Sequence, residues 1–143
     1  METLSIIITG LSAGIFFSWS ITVIPGTKLI SDSSYLETMK SINIRIKNPL
    51  FLVIFIGPIF LLAYQARSFD PLPVAALLIY LIGPLGITFT KNIPLNDKLD
   101  TKDLNSLSLT DKKSFRQDYE SKWNFWNSIR TVMSIISFIL VAL

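Results

Sequence analysis

The chain has 143 residues, half of them hydrophobic, with a mean hydropathy of +0.53 and 16% charged residues, too few for a soluble domain, where about 25% is usual. It contains no Cys and no His, which excludes disulfides, thiol redox centres, thiolate- or imidazole-ligated haem, iron–sulfur clusters, histidine bases and imidazole metal sites. The net charge of +3 reflects local lysines and arginines without a nucleic-acid-binding signature, so no nucleic acid partner is expected. With every Asp and Glu read as lying in a loop or at a terminus, no metal site is expected either.

The apolar residues fall in four blocks, which predicts a multi-span helical membrane protein forming one domain over residues 1–143. The first span covers about residues 4–24 and carries no charge. Met1-Glu2 supplies no basic flank of the kind that precedes a signal peptide's apolar core, so this block is read as a retained span. Gly10, Gly14, Ser18 and Thr22 recur every four residues, a small-residue stripe that predicts close packing by another helix. Trp19 lies near the end of the block, where Trp anchors at the interface, and Pro25-Gly26 is expected to end the helix.

Ser34 and Glu37 have capping-box spacing, followed by Tyr35, Met39, Ile42 and Ile46 at helical intervals. They predict a short amphipathic helix over residues 34–47 lying on the membrane surface. Asn43 shares a face with Met39 and Ile46, so its amide either finds a partner in the protein or frays toward water. Asn48-Pro49 opens the second span, about residues 49–66, with Pro at the first helical turn and Gly57-Pro58 in the middle. After a short turn the third span covers about residues 73–91 and carries Gly83-Pro84 and Gly86. Asn92 and Asn96 follow, on one face if the helix continues past Pro94 and in a turn if it stops there.

A final helix is predicted from about Asp111, with its span over residues 124–143. A helix rising ~1.5 Å per residue needs roughly 20 residues to cross ~30 Å of hydrocarbon, which puts Arg130 about a turn or two inside the membrane. At 100° per residue, Trp123, Asn127, Arg130, Ser134 and Ser137 fall on one stripe. Arg at such a depth costs at least ~2.5 kcal/mol unless it is paired or watered. No acidic residue lies within a span, so the expected acceptors are the side chains of Asn43, Asn48, Asn92 and Asn96, or the backbone near Asn92.

Charge orients the chain. The first and third connections hold eleven basic residues, against Arg67 alone in the second. The positive-inside rule therefore predicts cytoplasmic first and third connections and both termini outside.

Four segments then carry a resemblance: AGIFFSWSITVIPG, MKSINIRIKNPLF, KNIPLNDKL and YESKWNFWNSIRT, in that order. The chain resembles the anthrone-oxygenase-like family of small four-span membrane proteins, most members of which are known only as a domain of unknown function. The likeness covers about residues 13–135 and is sharpest in the N-x-P-x-N element (Asn92, Pro94, Asn96) and the W-x-x-x-N-x-x-R element (Trp123, Asn127, Arg130). It implies an all-α integral membrane four-helix bundle and a cofactor-free oxygenase acting on a flat phenolic or enolic substrate at the cytoplasmic end. No catalytic base is carried over.

On that reading Arg130 with Asn92, Asn96 and Asn127 supplies donors to an enolate, and Trp123 and Trp126 stack on an aromatic ring. Asn43 and Asn48 complete the expected cluster. Two alternatives stand beside it. The cluster binds a small hydrophobic or anionic ligand or a lipid without chemistry, or it only locks the helices in register.

Overall fold

Prolines open two of the spanning helices and lie beside the places where two of them widen. The computed structural model describes residues 1–143 and is helical throughout, without strands. Its helices are α1 (Glu2–Thr27), α2 (Asp32–Arg45), α3 (Pro49–Ala66), α4 (Pro71–Asp100) and α5 (Leu109–Ala142). Pro49 and Pro71 occupy first turns, where a missing N–H leaves nothing unpaired. The preceding Asn48 and Asp70 cap them, accepting from the Phe51 and Leu72 amides at 2.9 and 3.0 Å.

Inside a helix, Pro removes a donor and crowds the carbonyl four residues back. Two π-helical stretches lie beside such prolines: Trp19–Val23 just before Pro25, and Leu81–Asn92 around Pro84. The wider turns leave carbonyls that hydroxyls then satisfy. Thr88 donates to the Pro84 carbonyl at 2.6 Å and Thr90 to the Gly86 carbonyl at 2.7 Å.

Several boundaries differ from the sequence expectation for this reason. The first helix passes through Pro25-Gly26 and ends at Thr27. The surface helix begins at Asp32, because Ser31 rather than Ser34 caps it. The third spanning helix continues through Pro94 to Asp100, which keeps Asn92 and Asn96 on one helix.

Helices α1, α3, α4 and α5 are long and apolar enough to cross a membrane, and the protein is a multi-pass integral membrane protein. They pack as a four-helix bundle in the ring order α1–α3–α4–α5. Its membrane interior is built from Leu62, Ala76, Tyr80 and Val141, with hydroxyls between the helices. Ser12 and the Tyr80 hydroxyl lie 2.6 Å apart, and Ser137 donates to the Ala76 carbonyl at 2.8 Å. Such small polar side chains let helix backbones approach closely in lipid.

The stripe expected to do this on α1 is the wrong face. Ser5, Thr9, Ser12, Ala13 and Phe16 are buried instead, whereas Gly14, Ser18 and Thr22 are exposed. That face is equally slim, and Phe16 adds the volume that the glycines lack. Gly10 alone of the stripe meets α5, where a Cβ would come within 2.9 Å of the Phe138 ring.

The helices project past the bundle at the end rich in lysine and arginine. There α2 lies across the bundle and buries Tyr35, Leu36 and Met39 against Leu99, Leu104, Tyr119 and Trp123. Each large side chain removed from water contributes roughly 1.5–3 kcal/mol. Arg116, only 8% exposed, ties three elements together. It donates to Glu120 (2.8 Å), to Asp32 (3.2 Å) and to the Thr27 and Ile30 carbonyls (both 2.8 Å). Burial works against its charge, but the bonds and charges of Glu120 and Asp32 more than offset this and raise its pKa.

Candidate functional site

One side of α5 presents Trp123, Asn127, Arg130, Ser134 and Ser137 to the interior, and all five are buried. The helical period alone places them there. At the depth of Arg130 the facing helices leave a cavity of about 280 Å³. Phe16 and Trp19 wall it from α1, Phe51 and Phe55 from α3, and Met39 and Ile42 from α2. Polar side chains enter from the other elements: Asn43 from α2, Thr88, Asn92 and Asn96 from α4, and Asn127 and Arg130 from α5. An apolar chamber with a few convergent polar groups is the usual form of a small-molecule site.

Arg130 is 6% exposed. Its Nη1 donates to the Thr88 hydroxyl at 2.9 Å and its Nη2 to Asn127 Oδ1 at 2.8 Å. The guanidinium carbon lies 4.8 Å from the Phe16 ring centre and 5.4 Å from that of Trp123. A desolvated cation over an aromatic face gains ~2 kcal/mol or more, which with the two hydrogen bonds offsets the cost of burying the charge. Asn127 is fixed in turn, donating to Ser20 Oγ at 3.0 Å, and Ser20 lies 2.9 Å from Thr131 Oγ1.

The asparagines expected to receive Arg130 do other work. Asn96 Oδ1 accepts from Trp123 Nε1 at 3.0 Å and from the Tyr119 hydroxyl at 2.9 Å. Asn92 Nδ2 donates to the Trp123 carbonyl at 3.4 Å. Asn43 is buried and donates to Asp100 Oδ1 at 3.1 Å. Asn48 lies outside the cavity, exposed, capping α3 and donating to the Arg45 carbonyl at 2.9 Å. Thr88 and Asn127 displace them as Arg130 acceptors because Asn127 sits one turn away on the same helix and the π-helical register turns Thr88 inward.

Six of the eight expected residues therefore share the cavity: Asn43, Asn92, Asn96, Trp123, Asn127 and Arg130. Trp126 does not. It is half-buried on another face of α5, edge-on to Phe125 at 5.1 Å and 5.1 Å from the Lys91 ammonium. Its place on the wall is taken by Trp19, whose ring lies 5.3 Å from that of Trp123. Thr88, Trp19, Lys47, Asp97 and Asp100 are among the lining residues that sequence reasoning missed. A helix continuing past Pro94 is the one signal that would have brought Asp97 and Asp100 into view.

Two buried polar atoms on this wall have no partner in the protein: the donor Nε of Arg130 and the acceptor Oδ1 of Asn92. Each unpaired buried polar atom costs about 1–3 kcal/mol. A ligand that offers one acceptor and one hydroxyl donor would satisfy both.

A family model described as anthrone oxygenase matches residues 41–140. No curated protein and no solved structure matches the chain.

Proposed function

Because the chain belongs to the anthrone oxygenase family, we propose that its cavity binds a flat phenolic or enolic substrate and oxidises it with O₂ without a cofactor. The observation that carries this reading is the unpaired Arg130 Nε and Asn92 Oδ1 in a chamber walled by aromatic rings. An aryl ketone bearing a hydroxyl offers the matching acceptor and donor, and Trp19, Trp123 and Phe55 offer faces to its rings.

On this reading Arg130 holds the substrate oxygen and stabilises it as it becomes an enolate. Asp97 and Asp100 are the carboxylates on the wall; Asp97 is exposed, whereas Asp100 is half-buried and oriented by Asn43. Asp100 takes the proton from the substrate carbon. The enolate passes one electron to O₂, and the carbon radical and superoxide couple to form a C–O bond. Protonation gives a hydroperoxide. Loss of the second C–H proton with cleavage of the O–O bond releases water and leaves a ketone. One methylene and one O₂ thus become one carbonyl and one water.

The basic end of the bundle, which holds the cavity, faces the cytoplasm on this proposal, since eleven lysines and arginines flank it. The residues act as a single four-span domain.

The test is purified protein in lipid nanodiscs with anthrone under air, following quinone absorbance and O₂ uptake together. One O₂ consumed per quinone, lost in Arg130→Leu, is the expected result. Binding of anthrone without O₂ uptake above the uncatalysed rate would overturn the enzymatic reading.

A further inference from the structure

We propose that the cavity is loaded sideways from the bilayer, through a slot between α3 and α4, by ligands dissolved in the hydrocarbon. The proposal rests on the reading of this cavity as the substrate site and adds where its substrate comes from.

The two helices are joined only at one end. Tyr80 donates to the Phe55 carbonyl at 2.8 Å, and Leu62, Ala76 and Tyr80 pack together beyond it. Toward the basic end the π-helical part of α4 barely touches α3, although the two are neighbours in the ring. Leu52 and Phe89 flank this gap and are 48% and 56% exposed on the outer surface, yet both line the cavity. Ile56 and Ile93 complete an apolar rim. A ring system crossing it leaves hydrocarbon for hydrocarbon and loses no hydration. The opposite wall, formed by α1 and α5, carries Phe16, Trp19, Trp123 and Arg130.

The aqueous side is covered except where the exposed Lys47 and Asp97 line the cavity. Helix α2 lies over that end, with Tyr35, Leu36 and Met39 buried beneath it. It is tied to α4 and the loop after it by Asn43 to Asp100 (3.1 Å) and Lys40 Nζ to the Lys102 carbonyl (2.6 Å). Entry from water passes the charged side chains of Lys47 and Asp97, and widening that route by moving α2 breaks these bonds and exposes that apolar cluster. Entry from lipid breaks no hydrogen bond at the slot. A side-chain rotation of Leu52 or Phe89, both facing fluid lipid, suffices to widen it.

The chain has no native cysteine, so the two routes can be locked separately in the whole protein in nanodiscs. Leu52→Cys with Phe89→Cys, joined by a short bifunctional thiol reagent, bolts the slot. Lys40→Cys with Lys102→Cys, joined in the same way, bolts α2 down. The readout is quenching of Trp19 and Trp123 fluorescence by anthrone, which needs no turnover, with each variant before cross-linking as its own folding control. The expected result is an on-rate at least about tenfold lower with the slot bolted and unchanged with α2 bolted.

A second measurement uses the unaltered protein. Anthrone tethered to a phospholipid acyl chain should quench, and a sulfonated, water-soluble anthrone should not. An on-rate that falls only when α2 is bolted, or quenching by the sulfonated probe alone, would overturn the proposal. Anthrone that enters through the slot but consumes no O₂ would overturn the oxygenase reading and leave the route standing. Failure of the unlocked protein to bind anthrone at all would overturn both.

Discussion

Thr88 donates its only hydroxyl proton to the Pro84 carbonyl, 2.6 Å away, and so can only accept from Arg130 Nη1 at 2.9 Å. The proline thereby sets the direction of a hydrogen bond to the buried charge. Thr88→Val keeps the shape and removes both bonds, leaving an Arg donor and a carbonyl unpaired. A loss of about 1–3 kcal/mol is expected, mostly restored in Thr88→Ser. Unfolding in mixed micelles measures it, and a Thr88→Val protein as stable as the parent would contradict the assignment.

Arg130→Leu and Arg130→Lys separate stability from function. Leucine removes a burial cost of ~2.5–3.5 kcal/mol and leaves Asn127 Oδ1 unpaired at about 1–3 kcal/mol, so stability should change little. Turnover should fall by about 10²-fold or more, as when an oxyanion donor is removed. Lysine cannot reach Thr88, Asn127 and a ligand in one plane, so Arg130→Lys should lose turnover nearly as far. A Lys variant with parental kcat/KM would remove Arg130 from the site.

Asn92 and Asn48 make a matched pair, one on the cavity wall and one on a helix cap. Asn92→Leu should weaken anthrone binding by roughly tenfold, the effect of one lost hydrogen bond. Asn48→Ala should cost ~1 kcal/mol of stability through its cap and leave binding unchanged. Isothermal titration beside thermal unfolding reads both quantities. Equal effects on binding would mean that the cavity assignment is wrong.

Alkali should loosen α2 before the bundle. Burial raises the pKa of Tyr35, helped by the charge of Glu120, and burial raises that of Tyr119, helped by Tyr35. Both phenols stay neutral in the folded protein where an unfolded tyrosine, near pH 10, ionises. Their contribution to stability is complete below about pH 10 and is lost as the pH rises past it. Trp123 fluorescence should shift together with tyrosinate absorbance, and Tyr119→Phe should move the transition to higher pH. Ionisation with Trp123 unchanged would refute this.

The spans were legible because hydrocarbon thickness fixes a length and composition fills it. The inward stripe of α5 was legible because a helix repeats every 3.6 residues. What Arg130 bonds to was not, since that depends on how deep one helix sits against another and on a π-helical register that period 3.6 cannot show. Pro94 read equally well as an end or as an interior residue, and Asp97 and Asp100 depended on that choice. Arg116 counted as one more surface charge, yet it is nearly buried, because three elements far apart in sequence converge on it. The glycine stripe misled for a related reason: several faces of α1 are slim, and only the neighbours decide which is used.

The π-helical stretch from Leu81 to Asn92 makes the spacing of α4 a property separate from its composition. Each of its turns takes in one residue more than an α-turn. A π-turn absorbs its extra residue without re-aiming the helix beyond it, so deleting one residue there would let that turn relax to ordinary α-helix with Asn92, Asn96 and Asp100 still facing the cavity. The same deletion in the α-helical part before Tyr80 has no such slack. It would turn everything beyond it by about 100° and swing these residues off the cavity, while the hydropathy of the span would barely change. Two one-residue gaps in α4 would thus look alike to any count of apolar residues, yet the one before Tyr80 would dismantle the site and the one after it would not, so where the chain length changes is itself part of the chemistry.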